Sequence, residues 1–418
     1  MIRQIDVNLL ELPASIITLA ETFTVFGLQL ILVGGATRDF FLKGKKPRDY
    51  DFEVRSLTKL PPGENWINYL HQVIEALKDL DYSYEKLPFE VYRLSHKKFG
   101  VVEIASARVE EYSGGIDLGA FGHSDFRSTP IAFIDDALAF RRRDFTINAI
   151  GIDLMTGMVH DPFGGLEHIK QKILHPCFDH FFNDPVRLLR LIRFELQLEF
   201  SPSPFLANNL ARFNLLKCSS FYLEQEANKS NPLLFYKRLF DLPQVRVPKF
   251  LKELKSVIKI PQDYSGHQKI KDSWDLFYFL LLRNYFNGDT DHFCLVMGEV
   301  FNFPQKKMGQ AIQQKNDLEE IKKLKKEYFR NLFKSGAISF CGDIRVFALT
   351  RLLASLDRDN FKSKLEQFSP DCLILIDWLF HLGANFKFEK ELGEKYLPEN
   401  KNLWRNLTTY LLFLPTEQ

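Results

Sequence analysis

Residues 30–55 read LILVGGATRDFFLKGKKPRDYDFEVR, and this stretch decides the fold of the amino-terminal part. An apolar run ends at Gly34-Gly35, and a short helical pattern follows before a second strand. Glycines at the end of a strand let the backbone approach a bulky anion closely. The residues after them can open a helix, whose first N–H groups lack partners within the helix and favour phosphate. The stretch therefore predicts a phosphate-binding turn between a strand and a helix.

The second strand of this stretch carries a pair of carboxylates, Asp49 and Asp51. Side chains alternate between the two faces of a strand, so these two project to the same face. Two carboxylates at this spacing can hold a pair of divalent cations roughly 3.5–4 Å apart, the arrangement used for in-line phosphoryl chemistry. A phosphate turn beside a metal dyad indicates nucleotidyl transfer, with Asp49 and Asp51 as metal ligands. The alternative is a pair of solvent-facing strand residues.

The composition is that of a globular protein with enough apolar material for a large core, because 45% of its 418 residues are hydrophobic and 26% are charged. The net charge of +2 does not by itself indicate a nucleic-acid binder, so any basic surface must come from local clustering. The five scattered cysteines argue against a disulfide framework or a zinc site and suit a reducing cytoplasm. The amino terminus lacks the layout of a signal peptide, and no apolar run is long enough to span a membrane. We expect a cytoplasmic protein.

The order of predicted elements divides the chain into an α+β head and a helical remainder. Periodicity predicts strands at residues 28–33, 49–55, 82–86, 90–95 and 100–107, and helices at 14–26, 36–42 and 65–80. Residues 112–130 are rich in Gly and Ser and predict a mobile loop, and helical signals dominate from residue 134 onward. We expect a head at residues 1–155, a helical neck at 156–225 and a helical body at 226–418.

A lysine-rich segment at residues 305–330 has acidic residues interleaved with its basic ones. It is either a solvated helix face or a surface that follows phosphates, which would make binding salt-sensitive. The aromatic residues beyond position 200 are expected in the core rather than as platforms for base stacking.

Five segments occur in a fixed order and at compatible spacings: GGATRD at 34–39, the Asp49-x-Asp51 pair, RRRDFTINA at 141–149, DPFGGL at 161–166 and NDPVRLLR at 183–190. Together they resemble the class II tRNA nucleotidyltransferase and bacterial poly(A) polymerase family, and the resemblance covers residues 28–200. It implies a nucleotidyltransferase-type head with a mixed β-sheet, followed by an all-α neck and body that hold a nucleotide template and grip tRNA.

The resemblance implies that a third acidic residue completes the catalytic set, and Glu103 in VVEIASAR falls at that position. Mg²⁺ bridging the carboxylates and the triphosphate would lower the pKa of an attacking 3′-hydroxyl and neutralise the leaving pyrophosphate. The alternative for Glu103 is an ordinary acidic residue of a strand.

The phosphate cradle is expected at Gly34, Gly35 and Arg38, because a guanidinium fork suits phosphate oxygens. The alternative for Arg38 is an ion pair with Asp39 or Asp49 that fixes the junction of strand and helix.

In the arginine-rich segment, the resemblance implies that Arg143, Asp144 and Asn148 contact the sugar and phosphates of the nucleotide or orient the side chains that read its base. Arg141 and Arg142 are expected to face solvent or to anchor the junction of head and neck. The alternative for Asp144 is a helix N-cap or a buried ion pair.

The base-reading pair is expected at Asp184 and Arg187, which lie three residues apart and therefore on one helical face. A carboxylate beside a guanidinium complements the donor and acceptor of cytosine and adenine, whereas guanine and uracil would leave buried groups unpaired at about 1–3 kcal/mol each. The resemblance implies the same protein template for CTP and ATP. Arg190 is expected to assist, and Arg193 to contact tRNA or to serve the structure. The alternative is that Asp184 simply caps the helix, with Pro185 at its first position.

Three residues depart from the family pattern, which usually has Glu at the position of Asn183, Val at that of Thr37 and Asn at that of Gly164. The loss of a charge at Asn183 leaves open how the template is arranged. The long stretch at residues 110–143 favours addition of the terminal A, since members that add only CC have a shortened loop there.

The sequence thus predicts a tRNA nucleotidyltransferase that adds CCA from CTP and ATP with Mg²⁺. The alternatives are a poly(A) polymerase, an enzyme that adds only CC or only A, and a non-catalytic RNA-binding protein of the same fold.

Overall fold

The computed structural model describes residues 4–43, 49–97, 100–112, 121–242, 245–261, 270–313 and 315–316. The chain divides into two compact units. The first comprises Met1–Glu226 and Arg238–Pro248, and the second comprises Ala227–Lys237 and Lys249–Gln418. The boundaries expected at residues 155 and 225 stay predictions.

The first unit is built on a mixed seven-stranded sheet with the order β3-β4-β5-β2-β1-β8-β9. Two further two-stranded sheets pair β6 with β7 and β10 with β11. The strands are β1 Leu28–Val33, β2 Tyr50–Ser56, β3 Ser83–Leu87, β4 Val91–His96, β5 Gly100–Ser106, β6 Arg108–Tyr112, β7 Phe126–Pro130, β8 Gly151–Asp153, β9 Val159–His160, β10 Ile173–Leu174 and β11 Ser201–Pro202. The fold class and the five predicted strands are confirmed.

The helices become more frequent along the chain. They are α1 Ala14–Val25, α2 Gly35–Lys43, α3 Trp66–Ala76, α4 Asp136–Phe140, α5 Gly165–Gln171, α6 Pro185–Leu198, α7 Pro204–Asn208, α8 Ser220–Asn228, α9 Pro232–Phe240, α10 Lys249–Val257, α11 Ser273–Arg283 and α12 Thr290–Phe301. Short 3₁₀ segments lie at Val7–Leu10, Leu77–Leu80, Thr146–Asn148, Asp179–Asn183 and Leu210–Arg212.

Strand β1 is apolar at nearly every position because the sheet is covered on both faces. Leu28, Leu30 and Leu32 join the main core, to which α1 and α3 contribute buried side chains. Ile31 and Val33 point to the other face and pack in a second cluster that includes Phe140, Ala149 and Cys177. A strand covered on both sides reads as a continuous apolar run, which is why its bounds were predicted to the residue.

One prediction for the middle of the chain is wrong. Residues 112–130 were expected as a loop, but Phe126–Pro130 forms β7 and pairs antiparallel with β6; residues 113–120 lie outside the described part. Helices dominate after residue 134 as expected, but the short strands β8 and β9, which were not predicted, extend the large sheet. These strands have three residues and two residues, which is too short to show a period. Gly151 is needed in β8, because a Cβ there would lie 2.7 Å from Ile31 and 2.8 Å from Phe140.

The second unit has a core rich in aromatic residues, as expected for positions beyond residue 200. Phe235, Tyr236, Phe277, Phe279 and Phe293 are fully buried. The rings of Phe277 and Phe293 stack with centroids 5.7 Å apart. The lysine-rich segment lies outside the described residues from position 317 onward, so its two interpretations stay open.

Among the described residues, no helix is both long and apolar enough to cross a membrane. Cys177, Cys218 and Cys294 are free and buried, which agrees with the expected lack of a disulfide framework as far as the described residues extend.

A pair of half-buried histidines links α5 to the following strand. The rings of His168 and His175 stack with centroids 5.2 Å apart, and their Nδ1 atoms lie 2.9 Å from the hydroxyls of Thr146 and Ser203, respectively. Burial lowers the pKa of both imidazoles, because it disfavours the charged form. The folded state therefore resists their protonation.

We expect the double variant His168→Gln/His175→Gln to lose less stability than the wild type on acidification. A lowered folded pKa contributes stability that is present above the unfolded value of about 6.5 and is lost as the pH falls below it. Urea unfolding at pH 7.5 and 5.5 measures the difference. His292→Gln, at an exposed histidine, is the control. If the double variant lost as much free energy of unfolding between pH 7.5 and 5.5 as the wild type, the lowered pKa values of His168 and His175 would not be the cause of the acid sensitivity.

Candidate active site

The turn after β1 lies directly against the predicted catalytic residues. Gly34 has φ +78°, in the left-handed region that favours glycine. A Cβ built on it would lie 3.5 Å from Oδ2 of Asp51 and 3.8 Å from Nη1 of Arg143. Helix α2 begins at Gly35, so its first N–H groups are at the same place. A carboxylate and a guanidinium thus both border the space left by the missing side chain of Gly34, where a ligand could contact them.

Two of the three predicted carboxylates stand side by side. Strands β2 and β5 are parallel, and Asp51 is directly opposite Glu103. Asp49 precedes β2 by one residue and is exposed. The pKa of Asp51 is raised because surrounding protein displaces water from its carboxylate; Glu103 and Asp49 raise it further, while Arg143 opposes them. The crowding of like charges is the electrostatic condition that a bound cation relieves.

The donor set fits a magnesium ion whose coordination is completed by substrate. Among the described residues, no three His, Cys, Asp or Glu side chains form a ready-made metal cage. Mg²⁺ is commonly bound by one or two carboxylates together with phosphate oxygens and water rather than by such a cage. Asp51 and Glu103 in register, with Asp49 two residues before Asp51, supply hard oxygen donors of this kind.

A fully buried carboxylate, Glu53, lies two residues after Asp51 on the same face of β2 and holds the arginines of the site. Arg55 donates to its Oε1 from Nε at 3.0 Å and from Nη2 at 2.8 Å. Arg142 donates to its Oε2 at 3.1 Å, and Nη2 of Arg143 lies 3.9 Å from the same oxygen. Burial alone would raise the pKa of Glu53, but the three guanidinium groups lower it. The carboxylate therefore stays charged.

Arg143 is one of two basic groups at the turn, since its Nη1 lies 3.8 Å from the Cβ position of Gly34 and Nη2 of Arg38 lies 3.6 Å from that of Gly35. Burial and the neighbouring Arg142 lower its pKa to about 10, although Glu53, Asp51 and Asp144 attract its charge. Within the described part of the chain, its buried Nε has no hydrogen-bond partner. A guanidinium that the protein satisfies only in part, next to a glycine turn, is suited to bind an anion.

Arg38, Asn148, Asp144 and Arg190 form a continuous chain of hydrogen bonds. Nη1 of Arg38 donates to Oδ1 of Asn148 at 2.8 Å, and Nδ2 of Asn148 donates to Oδ1 of Asp144 at 2.9 Å. Nε of Arg190 donates to Oδ2 of Asp144 at 2.6 Å. Burial alone would raise the pKa of Asp144, but Arg190, Asn148 and the N–H of Phe145 lower it to about 2.

This chain bears on two alternatives left open by the sequence. Arg38 does pair with Asp39, with Nη2 at 2.7 Å from Oδ1, and Asp144 is in a buried ion pair. Both side chains have structural partners in the ligand-free site, so any role toward a nucleotide is additional to these contacts. Arg193 pairs with buried Glu226 at 2.9 Å, which gives it a structural contact.

Asp184 and Arg187 meet at the start of α6. Oδ1 of Asp184 accepts from the N–H of Val186 at 2.9 Å, which is the N-cap bond of the helix. Oδ2 lies 3.7 Å from Nε of Arg187 and 2.9 Å from Nδ1 of His123. Nη2 of Arg187 donates to the carbonyl of Arg142 at 2.7 Å. Asp184 thus caps the helix through Oδ1 and pairs with Arg187 through Oδ2.

The hairpin of β6 and β7 brings further side chains to this pair. Asp184 and Arg187 act electrostatically on Tyr112, whose pKa is raised to about 12, chiefly because of burial. The ring of His123 packs edge-on against Tyr222 with centroids 4.8 Å apart. His123 was not predicted, and no local spacing could have revealed it, because its partner lies 61 residues further along the chain.

The three departures from the family pattern have local explanations. The hydroxyl of Thr37 donates to the carbonyls of Gly34 and Ile150, each at 3.0 Å, and so ties the turn to the segment before β8. Gly164 has φ +69°, a conformation that glycine and asparagine both adopt readily. Asn183 is buried, and its Nδ2 lies 3.4 Å from Nδ1 of His180.

The structure therefore brings the predicted residues together in two groups. The turn group consists of Gly34, Asp51 and Arg143, with Glu103 in register beside Asp51. The second group consists of the chain Arg38–Asn148–Asp144–Arg190 together with the pair of Asp184 and Arg187, and Arg38 also lies against Gly35 of the turn. The sequence reasoning missed Glu53, although it continues the alternation of Asp49 and Asp51 along β2.

Comparison with known proteins supports the family resemblance for part of the chain. Residues 30–175 match the family model of the poly A polymerase head domain, which confirms the resemblance there. The chain is 34% identical over 167 residues to the multifunctional CCA protein of Acinetobacter baylyi, covering 40% of this chain and 34% of that protein. It is also 34% identical over 186 residues to the A-adding tRNA nucleotidyltransferase of Aquifex aeolicus, covering 42% of this chain and 19% of that protein. The chain thus matches only about a third and about a fifth of the length of these two relatives.

The fold extends beyond the matched head. A solved structure of a CCA-adding enzyme in complex with ATP superimposes with a TM-score of 0.54 at 19% identity, covering 94% of this chain and 99% of that one. At this identity the likeness concerns the fold, and it supports the expected succession of a mixed-sheet head and a helical remainder.

We expect Glu53→Gln to lower the free energy of unfolding by about 3–5 kcal/mol, because it leaves buried guanidinium groups without their counter-charge. Urea unfolding at pH 7.5 measures the loss. Glu85→Gln makes the same chemical change at an exposed ion pair with Arg93 and should cost about 1 kcal/mol or less. Equal effects of the two substitutions would show that Glu53 does not organise the arginines.

Proposed function

Residues 30–175 match the family model of the poly A polymerase head domain, and on this premise we propose that the protein is a cytoplasmic tRNA nucleotidyltransferase that adds CCA to the 3′ end of tRNA. Its substrates are CTP, ATP and a tRNA lacking that end. Residues 226–418 bind the tRNA in this proposal, with the acceptor arm directed to the head.

The observation that carries the proposal is the contact of three elements at Gly34. The turn has no side chain, and Oδ2 of Asp51 and Nη1 of Arg143 both lie within 4 Å of the position that a Cβ of Gly34 would take. A nucleoside triphosphate needs both kinds of neighbour, since its phosphates bind to arginine and its metal ion binds to carboxylates. The name of the Aquifex aeolicus relative, an A-adding tRNA nucleotidyltransferase, supports the choice of tRNA as the acceptor, and the name of the Acinetobacter baylyi relative, a multifunctional CCA protein, supports CCA as the added sequence.

In the proposed reaction, the 3′-hydroxyl oxygen of the tRNA attacks the α-phosphorus, and the bond from that phosphorus to the bridging oxygen of pyrophosphate breaks. Asp49, Asp51 and Glu103 would hold Mg²⁺, which when bound lowers the pKa of the hydroxyl and neutralises charge on the leaving group. Gly34 and Gly35 let the triphosphate approach the backbone, and Arg143 pairs with its oxygens. Glu53 keeps Arg143 in place.

Base selection is proposed for Asp184 and Arg187. The carboxylate accepts from the amino group of cytosine or adenine, and the guanidinium donates to the adjacent ring nitrogen. In the ligand-free site, Oδ2 of Asp184 is already bonded to His123, so the amino group of the base takes the place of this imidazole. Guanine and uracil present their hydrogen-bond donor and acceptor in the opposite order and leave both protein groups unpaired.

Extension of tRNA lacking its CCA end, with Mg²⁺ and with each nucleotide alone and both together, tests the proposed activity. We expect two C residues and one A, followed by a stop, and no product with Asp51→Ala. If the protein added only A, and only to tRNA ending in CC, it would be an A-adding enzyme, as the name of the Aquifex aeolicus relative states for that protein. A long A tail would instead identify it as a poly(A) polymerase. Absence of any product from the wild type would refute the catalytic proposal.

We expect Asp184→Asn to reduce discrimination against UTP and GTP by about 10- to 100-fold, because an amide presents a donor as well as an acceptor. The measure is kcat/KM for each nucleotide with a tRNA that ends before the CCA. Asp272→Asn makes the same change at the N-cap of α11 and should leave discrimination unchanged. Unaltered selectivity in Asp184→Asn would remove this residue from base reading.

A further inference from the structure

Four charged side chains stand in one row across the large sheet, on the face that carries the candidate site. The antiparallel pairs place Glu85 opposite Arg93 and Arg93 opposite Glu103. The parallel pair of β5 and β2 places Glu103 opposite Asp51. Directly opposed residues project from the same face and interact. Arg93 is thus the cation of a row that has carboxylates on both sides of it.

Arg93 contacts Glu103 from one side, through a single oxygen of the carboxylate. Nε of Arg93 donates to Oε1 of Glu103 at 3.2 Å, and Nη2 donates to the same oxygen at 2.9 Å. The remaining Nη1 donates to Glu85 at 3.1 Å. Neither bond to Glu103 uses Oε2. Arg93 therefore occupies one oxygen of the third carboxylate and leaves the other for a ligand beside Asp51.

This one-sided contact has different consequences for different divalent cations. Ca²⁺ takes six to eight oxygen ligands and accepts a carboxylate through one or both oxygens, whereas Mg²⁺ takes six in a strict octahedron and is held by single carboxylate oxygens, phosphates and water. A carboxylate with one oxygen already engaged by two N–H groups is poorly able to bind through both. Such a ligand suits Mg²⁺ better than Ca²⁺.

We propose that Arg93 is a positioning residue that restricts Glu103 to coordination through one oxygen and thereby selects Mg²⁺ over Ca²⁺. The inference rests on the proposed metal site at Asp51 and Glu103. It goes beyond the proposed function, which names Mg²⁺ as the cation but no residue that selects it over Ca²⁺.

The competing interpretation is an exposed ion pair without influence on the site. The side chains of Arg93 and Glu103 are 41% and 40% exposed, and pairs of this kind contribute little to stability. The two interpretations differ in one respect. Loss of the Arg93 charge alone would strengthen the binding of all divalent cations alike, whereas release of Oε1 favours the cation that uses both oxygens.

The test is equilibrium binding of Mn²⁺ to the full chain, followed by the electron paramagnetic resonance signal of the free ion. Displacement of Mn²⁺ by Ca²⁺ and by Mg²⁺ gives the ratio of their affinities. Loss of Mn²⁺ binding in Asp51→Asn identifies the site. In Arg93→Gln we expect this ratio to shift toward Ca²⁺ by about fivefold.

Two further variants make the result specific. Arg93→Lys keeps the charge and a donor for Oε1, so it should restore most of the preference for Mg²⁺. Lys78→Gln removes a charge from an exposed pair with Glu75 and should leave the ratio at the wild-type value. It controls for the loss of one positive charge elsewhere in the head.

The outcomes separate this inference from the proposed function. An unchanged ratio in Arg93→Gln, with Mn²⁺ binding still dependent on Asp51, overturns the role of Arg93 and leaves the metal site intact. An equal increase in the affinities for Ca²⁺ and Mg²⁺ likewise overturns the role of Arg93, because it would show that only the loss of its charge matters. Absence of Asp51-dependent Mn²⁺ binding in the wild type overturns both the metal site and the inference.

Discussion

The buried charge of Glu53 is the constraint on which the rest of the candidate site depends. A carboxylate without access to water stays ionised only if opposite charges surround it, and here Arg55, Arg142 and Arg143 do so. The guanidinium groups in turn could not lie so close together without it. Arg55 also pairs with Asp136, which is hydrogen-bonded to His160. The position of Arg143 beside the glycine turn is thus set by a run of hydrogen bonds and ion pairs that begins at the edge strand β9.

Along one face of β2 this arrangement separates charges of opposite sign over a short distance. Asp49 and Asp51 face the end of the strand where β1 gives way to the glycine turn, and Glu53 with its arginines lies behind them. A ligand with a cation at one side and several anionic oxygens at the other is complementary to such a surface. The proposed substrate, a nucleoside triphosphate with its metal ion, has this distribution of charge.

Elements with a strong local signal were predictable from the sequence, and those that depend on distant partners were not. Strand β1 was predicted to the residue because its apolar run is continuous, whereas β8 is too short to show any alternation. Asp184 and Arg187 were paired from their spacing and do lie in contact. The one-sided bond of Arg93 to Glu103 requires the register of β4 and β5, and the bond of His123 to Asp184 requires a hairpin where a loop was expected. Neither register nor hairpin is visible in composition or period.

The parallel pairing of β2 with β5 bears on when the protein gains its chemistry during folding. Parallel neighbours need a crossover, and here the intervening chain contributes α3, β3 and β4 before Glu103 reaches Asp51. Contacts of such long sequence separation form slowly, because the loop must close before they contribute any free energy. Asp51 and Glu103 stay apart in a partly synthesised or partly folded chain, so the carboxylate set of the proposed metal site is completed only when β2 and β5 have paired.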